Sequence, residues 1–196
     1  MYEILPADNA ELLEEVRRLF LEYEKWLNVD LCFQGFEIEV NSLPGKYAPL
    51  EGRLYIVKID DSYSGCIALR KIDDGVCEMK RLYLAEAARG KGIGNKLIEL
   101  IIQDAKDIGY KVMRLDTIKE KMPKAVSLYK SHGFREIKPY YKNPNPHTLF
   151  MELELDIIVL LDADIDPQPP APLLKGKGRN SFNSRNPNEG IIINFG

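Results

Sequence analysis

Surplus charge, histidine, cysteine and long apolar runs are all scarce in this sequence, and each scarcity excludes a class of protein. The 27 basic and 30 acidic residues leave a net charge of −3, without the positive excess typical of nucleic-acid-binding proteins. The apolar run at 157–161 is far too short to cross a bilayer. Histidine and cysteine stand at spacings that suit no metal site: His132, His147, Cys32, Cys66 and Cys77. We therefore expect no bound metal, and partners other than nucleic acid or a membrane.

The cysteines also bear on the cellular compartment. They are odd in number and widely spaced, which is typical of free thiols in a reducing environment. No basic segment followed by an apolar stretch comes after Met1, so we predict a cytoplasmic protein without a secretory signal. The composition, 45% hydrophobic and 29% charged, is ordinary for a soluble globular domain. A homodimer is expected only because two-fold dimers are the commonest assemblies.

Hydrophobic periodicity predicts a series of short strands and amphipathic helices over residues 1–155. Strands are predicted at 2–5, 54–59, 66–70, 77–84, 112–115, 134–137 and 148–155. Helices are predicted at 9–27 with Asp8 as the N-cap, at about 33–43, from 93 to a stop at Gly109, and from Pro123 to a stop at Gly133. The order β-α-α-β-β-β-α-β-α-β-β predicts an α/β fold with a mixed sheet.

The composition changes after residue 155. Proline, asparagine and glycine accumulate, and the basic residues Lys175, Lys177 and Arg179 stand among them. Such a segment is typical of a weakly ordered tail. Its apolar ends could also add a strand to this chain or to another chain. We therefore divide the chain into a domain at 1–155 and a C-terminal extension at 156–196, which is a tail or a strand-exchange segment.

A glycine-rich segment, residues 89–94, joins a predicted strand to a predicted helix. Glycines at alternate positions (Gly90, Gly92 and Gly94) let backbone N–H groups surround an anion, and the helix adds the positive end of its dipole. The loop therefore suits a pyrophosphate. A Walker A loop is excluded because Gly92, not serine or threonine, follows Lys91. The dinucleotide motif is excluded because the third glycine comes one residue early.

The same loop resembles the Arg/Gln-x-x-Gly-x-Gly/Ala motif of the GNAT N-acetyltransferase family, with Arg89, Gly92 and Gly94 in place. A second signature of that family, A-x-x-L-Y-x-x-x-G-F, is matched from Ala125 to Phe134. The resemblance covers about residues 1–155, and the surrounding residues look like an uncharacterised bacterial subgroup. It implies the GNAT-type acyl-CoA N-acyltransferase fold, in which helices flank a central mixed, mostly antiparallel sheet.

The resemblance implies an enzyme that moves an acetyl group from acetyl-CoA to a primary amine of a small molecule or protein. The backbone at Leu82, Tyr83 and Leu84 would bind the pantetheine arm and supply an oxyanion donor. The pyrophosphate would be held by the loop and the first helical turn: Arg89, Gly90, Lys91, Gly92, Ile93, Gly94 and Asn95. Many members have asparagine where this sequence has Met122, and we expect Thr117 to replace the lost cofactor contact.

Two catalytic residues are also implied by the resemblance. Tyr129 matches the tyrosine that protonates the departing thiolate, although it could instead only pack against the cofactor. Glu78 stands where several members have a general base, and strand alternation predicts that it shares a face with Lys80, Leu82 and Leu84. The alternatives are an ordinary ion pair of Glu78 with a neighbouring cation, Lys80 or Arg81, and Asp116 as the base.

The acceptor site is expected between the first helices and the last strands. Its candidate walls are aromatic or polar, and each could instead be ordinary packing: Phe33, Gln34, Phe36, Asp116, Tyr140 and Tyr141. The alternative to an enzyme is a sensor or interaction module that binds CoA without acetyl transfer. The presence of both Glu78 and Tyr129 favours the enzyme.

Overall fold

The computed structural model describes residues 1–29 and 35–155 of the 196-residue chain. The predicted extension at 156–196 and two of the predicted acceptor residues, Phe33 and Gln34, lie outside the described residues. The predicted order of strands and helices is confirmed in the residues that are described. No helix in this part of the chain is long and apolar enough to cross a membrane.

Within the described residues the chain forms seven strands and four helices. The strands are β1 Tyr2–Pro6, β2 Arg53–Ile59, β3 Ser62–Asp73, β4 Val76–Leu84, β5 Val112–Ile118, β6 Arg135–Ile137 and β7 Thr148–Glu154. The helices are α1 Ala10–Leu27, α2 Phe36–Asn41, α3 Ile93–Ile108 and α4 Pro123–Ser131.

The start of α1 differs from the prediction by one residue. Asn9, rather than Asp8, is the N-cap, and its Oδ1 accepts a hydrogen bond from the Leu12 backbone N–H at 3.0 Å. Asp8 instead accepts a bond from the Asn9 side chain at 3.3 Å. Both residue types cap helices well, so only the point at which the backbone turns helical decides between them. The second helix is also shorter than predicted, because α2 ends at Asn41.

The strands form one mixed sheet in the order β1-β2-β3-β4-β5-β7-β6. All neighbouring pairs are antiparallel except β4 and β5, which run parallel. The apolar faces of α3 and α4 pack on one side of the sheet, and those of α1 and α2 pack on the other. Two separate apolar clusters therefore hold the sheet between them, as expected for a domain built in layers.

The parallel strands β4 and β5 are paired over only three residues each. Their contact runs from Val76 opposite Val112 to Glu78 opposite Arg114, although β4 continues to Leu84 and β5 to Ile118. Beyond Glu78 the two strands separate, and the edge of β4 that faces β5 has no strand partner there among the described residues. The sheet therefore opens into a cleft near its centre.

A β-bulge lies in β4 within this open stretch. Arg81 and Leu82 together stand opposite the single residue Ile67 of β3. Arg81 takes the left-handed backbone conformation, with φ of 56°, which is uncommon for a residue with a side chain. The extra residue shifts the alternation of side chains by one position from that point on.

The bulge overturns the prediction that four side chains of β4 share one face: Glu78, Lys80, Leu82 and Leu84. Leu82 and Leu84 pack beneath α3 in the same cluster as Met79. Glu78 and Lys80 flank Met79 in the strand and therefore point to the opposite face, towards α1 and α2. The predicted base, Glu78, thus lies on the opposite face of the sheet from the side chains of Leu82 and Leu84.

Candidate active site

The cleft between β4 and β5 is lined by residues from both sides of the sheet. The cavity within it is small, about 50 Å³, and the space around that cavity is open to solvent. The lining from β4 and β5 is Met79, Lys80, Arg81, Leu82, Leu115, Asp116, Thr117 and Ile118. Side chains from the α1 and α4 regions and from the chain before β7 complete it: Tyr23, Leu27, Val29, Met122, Tyr129, Asn143, Asn145 and Thr148.

The glycine-rich loop lies between the end of β4 and the start of α3. Gly90 and Gly92 both have φ of 75°, and a Cβ added to either would meet no atom within 4 Å. Glycine is therefore needed there for the backbone conformation, and the surface beside it is open. Lys96 N donates the first hydrogen bond of α3, to Gly92 O at 3.3 Å. The amides of residues 92–95 precede that bond and point out of the helix end, as an anion site requires.

The remaining predicted residues of the loop have different surroundings. Gly94 permits close packing, because an added Cβ would lie 3.4 Å from Leu128 Cδ2 and 3.6 Å from Leu84 Cδ1. Ile93 is buried in the core beneath α3, whereas Lys91 is exposed. The Asn95 side chain contacts His132 Nε2 at 2.9 Å. Asn95 and Ile93 can therefore offer an anion their backbone amides.

Arg89 ties the loop to two other elements. Its Nε donates to Leu84 O at 2.8 Å, and its guanidinium lies 5.2 Å from the centre of the Trp26 ring at the end of α1. The Trp26 ring in turn lies 6.5 Å from the ring of Tyr83. The Tyr83 hydroxyl donates to Glu22 Oε1 at 2.7 Å, so its side chain supports α1. Of the three β4 residues whose backbone is predicted to bind the pantetheine arm, Leu82 is the one that lines the cleft.

Tyr129 is brought to the cleft by α4. Its ring is 6% exposed and packs edge-on against Phe134 at 5.9 Å between centroids. Burial raises the pKa of the Tyr129 hydroxyl, and nearby Tyr23 and Asp116 raise it further. The phenol is therefore protonated at neutral pH, which is the state that a proton donor to a thiolate needs.

Glu78 is buried on the other side of the sheet, with its side chain 1% exposed. Its Oε2 accepts two bonds from Arg70, from Nε at 2.8 Å and from Nη2 at 2.6 Å. Its Oε1 accepts the hydroxyl of Tyr140 at 2.6 Å. Lys80 Nζ is 4.0 Å away and Arg81 is paired elsewhere, so the principal cation is one that the sequence analysis missed. Arg70 stands opposite Glu78 in β3, a position that only strand register reveals.

Asp116 and Lys80 form an ion pair across the cleft, with Nζ and Oδ1 2.7 Å apart. Burial alone would raise the pKa of the Asp116 carboxyl, but the Lys80 ammonium and hydrogen bonds from Lys80 and Tyr141 outweigh it. The pKa of Asp116 is therefore lowered, and the group stays ionised at neutral pH. A lowered pKa makes Asp116 a weaker base than an ordinary carboxylate.

Tyr140 and Tyr141 connect these two carboxylates to the loop before β7. Each tyrosine ring lies 5.1 Å from the ring of Phe150, and the two rings are 5.3 Å apart. Tyr140 bonds Glu78, and Tyr141 bonds Asp116. The structure therefore brings four of the predicted residues into one group: Glu78, Asp116, Tyr140 and Tyr141.

Phe36 lies in the apolar core. It is 3% exposed, and the guanidinium of Arg81 covers its ring at 4.9 Å. Arg81 also binds Glu39 of α2 through two bonds, at 2.7 and 2.9 Å. Phe36 is thus part of the core that joins α2 to the bulge in β4, in agreement with the alternative of ordinary packing.

Residues 12–134 match the model of the acetyltransferase (GNAT) family. The chain belongs to the GNAT family. An uncharacterized N-acetyltransferase of Dictyostelium discoideum is 36% identical, over 69% of this chain and 90% of its own length. Another, from Schizosaccharomyces pombe, is 38% identical, over 75% of this chain and 88% of its own length. The protein is therefore an acetyltransferase.

These relatives come from eukaryotes, so the prediction of a bacterial GNAT subgroup is not confirmed. Solved structures agree on the fold. A GNAT acetyltransferase of Staphylococcus aureus superposes with a TM-score of 0.66 at 23% identity, covering 80% of this chain and all of that one. A Salmonella typhimurium structure described as an acetyltransferase with acetyl-CoA gives 0.60 at 20% identity, covering 84% of this chain and 99% of that one. The GNAT fold predicted for residues 1–155 is confirmed for the described part.

The departure from the GNAT pattern at Met122 lies inside the cleft. Met122 is the N-cap of α4, and its sulfur is 4.0 Å from Thr117 Oγ1. Thr117 is 3% exposed and lines the same cleft from β5. The two residues therefore stand together in the cleft, and a cofactor contact from Thr117 stays a prediction.

Proposed function

We propose that this GNAT protein transfers the acetyl group of acetyl-CoA directly to a primary amine of a small molecule or protein. The observation that carries the proposal is the opened β4–β5 cleft, which is lined by Tyr129 and by the buried Lys80–Asp116 pair. A protonated phenol and an ionised carboxylate thus line one cleft, and the glycine-rich loop follows β4, one of the two strands that form it. Acetyl-CoA, which is the acetyl donor that the GNAT family uses, supplies the thioester.

The chain's own groups fit the parts of acetyl-CoA. The amides at 92–95 and the charges of Arg89 and Lys91 would hold the pyrophosphate at the N-terminus of α3. The edge of β4 at residues 82–84 has no strand partner among the described residues and offers backbone groups to the amides of the pantetheine arm, although Leu84 O already accepts a bond from Arg89. A backbone N–H of this edge would stabilise the negative charge that builds on the thioester oxygen.

Two proton transfers complete the reaction. As the new N–C bond forms and the C–S bond breaks, Tyr129 gives its proton to the departing thiolate. The amine proton passes to Glu78 through the Tyr140 hydroxyl, which already donates to Glu78 Oε1 at 2.6 Å. Asp116 is the alternative acceptor of that proton, because it lines the cleft.

A cytoplasmic location and a homodimer stay predictions from the sequence.

The cofactor site is tested by calorimetric titration with acetyl-CoA. We expect micromolar binding to the intact protein and none to Gly92→Glu, whose carboxylate would repel the pyrophosphate. Gly75→Glu is the matched control, since Gly75 has a similar φ of 70° in the turn between β3 and β4. Equal loss of binding in both variants would point to backbone strain rather than to the loop.

Catalysis is tested by turnover of acetyl-CoA with a panel of amines. Tyr129→Phe and Glu78→Gln should each lower kcat by roughly 10²-fold or more if these groups move protons. Undiminished rates in both variants would refute the assigned roles. Tight binding of acetyl-CoA without turnover of any amine would instead favour the sensor or interaction module.

A further inference from the structure

The Lys80–Asp116 ion pair occupies a particular point in the cleft. The last paired residues of β4 and β5 are Glu78 and Arg114. The ion pair joins the two strands two residues further along each strand. It therefore spans the gap where the strands begin to separate, which is the narrow inner end of the cleft. Both partners line the cleft, with side chains only 6% and 12% exposed.

Neighbouring groups hold this pair in place. Glu78 Oε1 lies 4.0 Å from Lys80 Nζ, and Tyr141 makes a hydrogen bond to Asp116. Apolar residues of both strands line the same cleft from the face of the sheet that α3 covers: Met79, Leu82 and Leu115. The cleft is thus charged where the ion pair spans it, whereas its walls on the α3 side suit hydrocarbon.

We propose that the Lys80–Asp116 ion pair is the end wall of the acyl-binding part of the cleft and restricts the acyl donor to acetyl-CoA. This inference rests on the proposed function, because it takes the thioester arm to lie between β4 and β5. The methyl of an acetyl group can stop short of the pair. The additional methylenes of a butyryl group would have to displace or desolvate the ion pair, and they cannot replace its hydrogen bonds.

The test compares the affinities of CoA, acetyl-CoA and butyryl-CoA by calorimetry. The intact protein should bind acetyl-CoA at least tenfold more tightly than butyryl-CoA. In Lys80→Ala combined with Asp116→Ala the wall is absent, so butyryl-CoA should bind as tightly as acetyl-CoA or more tightly. Each methylene placed in contact with the apolar walls adds up to about fourfold in affinity. Both residues are replaced because one alone would leave a buried charge without its partner.

The matched control replaces Arg114 and Glu152 by alanine. These residues also form a cross-strand ion pair, at 2.7 Å between β5 and β7, but they do not line the cleft. This variant should keep the preference for acetyl-CoA.

Equal binding of acetyl-CoA and butyryl-CoA by the intact protein would overturn the inference, even if the double variant failed to fold. An unchanged preference in a double variant that still binds CoA would also overturn it. Failure of CoA itself to bind the intact protein would refute the proposed function instead.

Discussion

The ion pair between Glu39 and Arg81 joins α2 to the bulged strand, and its removal should destabilise the fold strongly. The Arg81 side chain is 3% exposed and that of Glu39 is 11% exposed. The Tyr47 hydroxyl donates a third bond to Glu39, at 2.9 Å. The Glu39→Ala substitution would leave the guanidinium of Arg81 buried between aromatic rings without its counter-charge.

Breaking a buried pair by removing one partner costs about 3–5 kcal/mol. We therefore expect Glu39→Ala to lower the free energy of unfolding by about that amount, and Tm by roughly 10 °C. Urea denaturation followed by circular dichroism measures the change. The control is Glu152→Ala, which removes a partly exposed partner of Arg114 and should cost about 1 kcal/mol or less. A loss below 1 kcal/mol for Glu39→Ala would refute the reasoning.

The same pair predicts a dependence on pH. Burial alone would raise the pKa of the Glu39 carboxyl, but the hydrogen bonds and charge of Arg81, with the Tyr47 hydroxyl, outweigh it and lower the pKa below the ordinary 4.5. A lowered carboxyl pKa contributes stability that is fully present above the unfolded pKa and is lost as pH falls through the folded pKa. The intact protein should therefore lose more stability than Glu39→Gln on acidification below about pH 4.5. Parallel curves for the two proteins would contradict the assigned charge state.

Two further substitutions probe the site. Tyr140→Phe removes the hydroxyl that is proposed to pass the amine proton to Glu78. It should therefore lower turnover about as much as Glu78→Gln does, while the affinity for acetyl-CoA stays unchanged. An unchanged rate would show that the proton reaches Glu78 by another route. Arg89→Ala should weaken acetyl-CoA binding and change the fluorescence of Trp26, the single tryptophan of the sequence, which the guanidinium covers at 5.2 Å. If the Trp26 fluorescence changes but the affinity for acetyl-CoA does not, Arg89 packs against α1 and does not contribute to cofactor binding.

Local patterns were enough to predict the helices and the glycine-rich turn between β4 and α3. The apolar stripe of α3 and the glycines at 90 and 92 act through neighbours in the chain, so their consequences follow from spacing and backbone freedom. The family signatures added the fold, and residues 12–134 match the GNAT family model. Predictions failed first where two residues were locally equivalent, as with Asp8 and Asn9 at the start of α1.

The faces of β4 and the partners of its charged residues depended on contacts distant in the chain. Alternation from Glu78 predicts one face for the whole strand, but the bulge at Arg81 reverses it, because two residues there oppose one residue of β3. The pairing of Glu78 with Arg70, and of Lys80 with Asp116, likewise arises from strand register and from the separation of β4 and β5. Periodicity and glycine spacing are properties of the chain alone, whereas ion pairs between strands exist only after the sheet has brought those strands together.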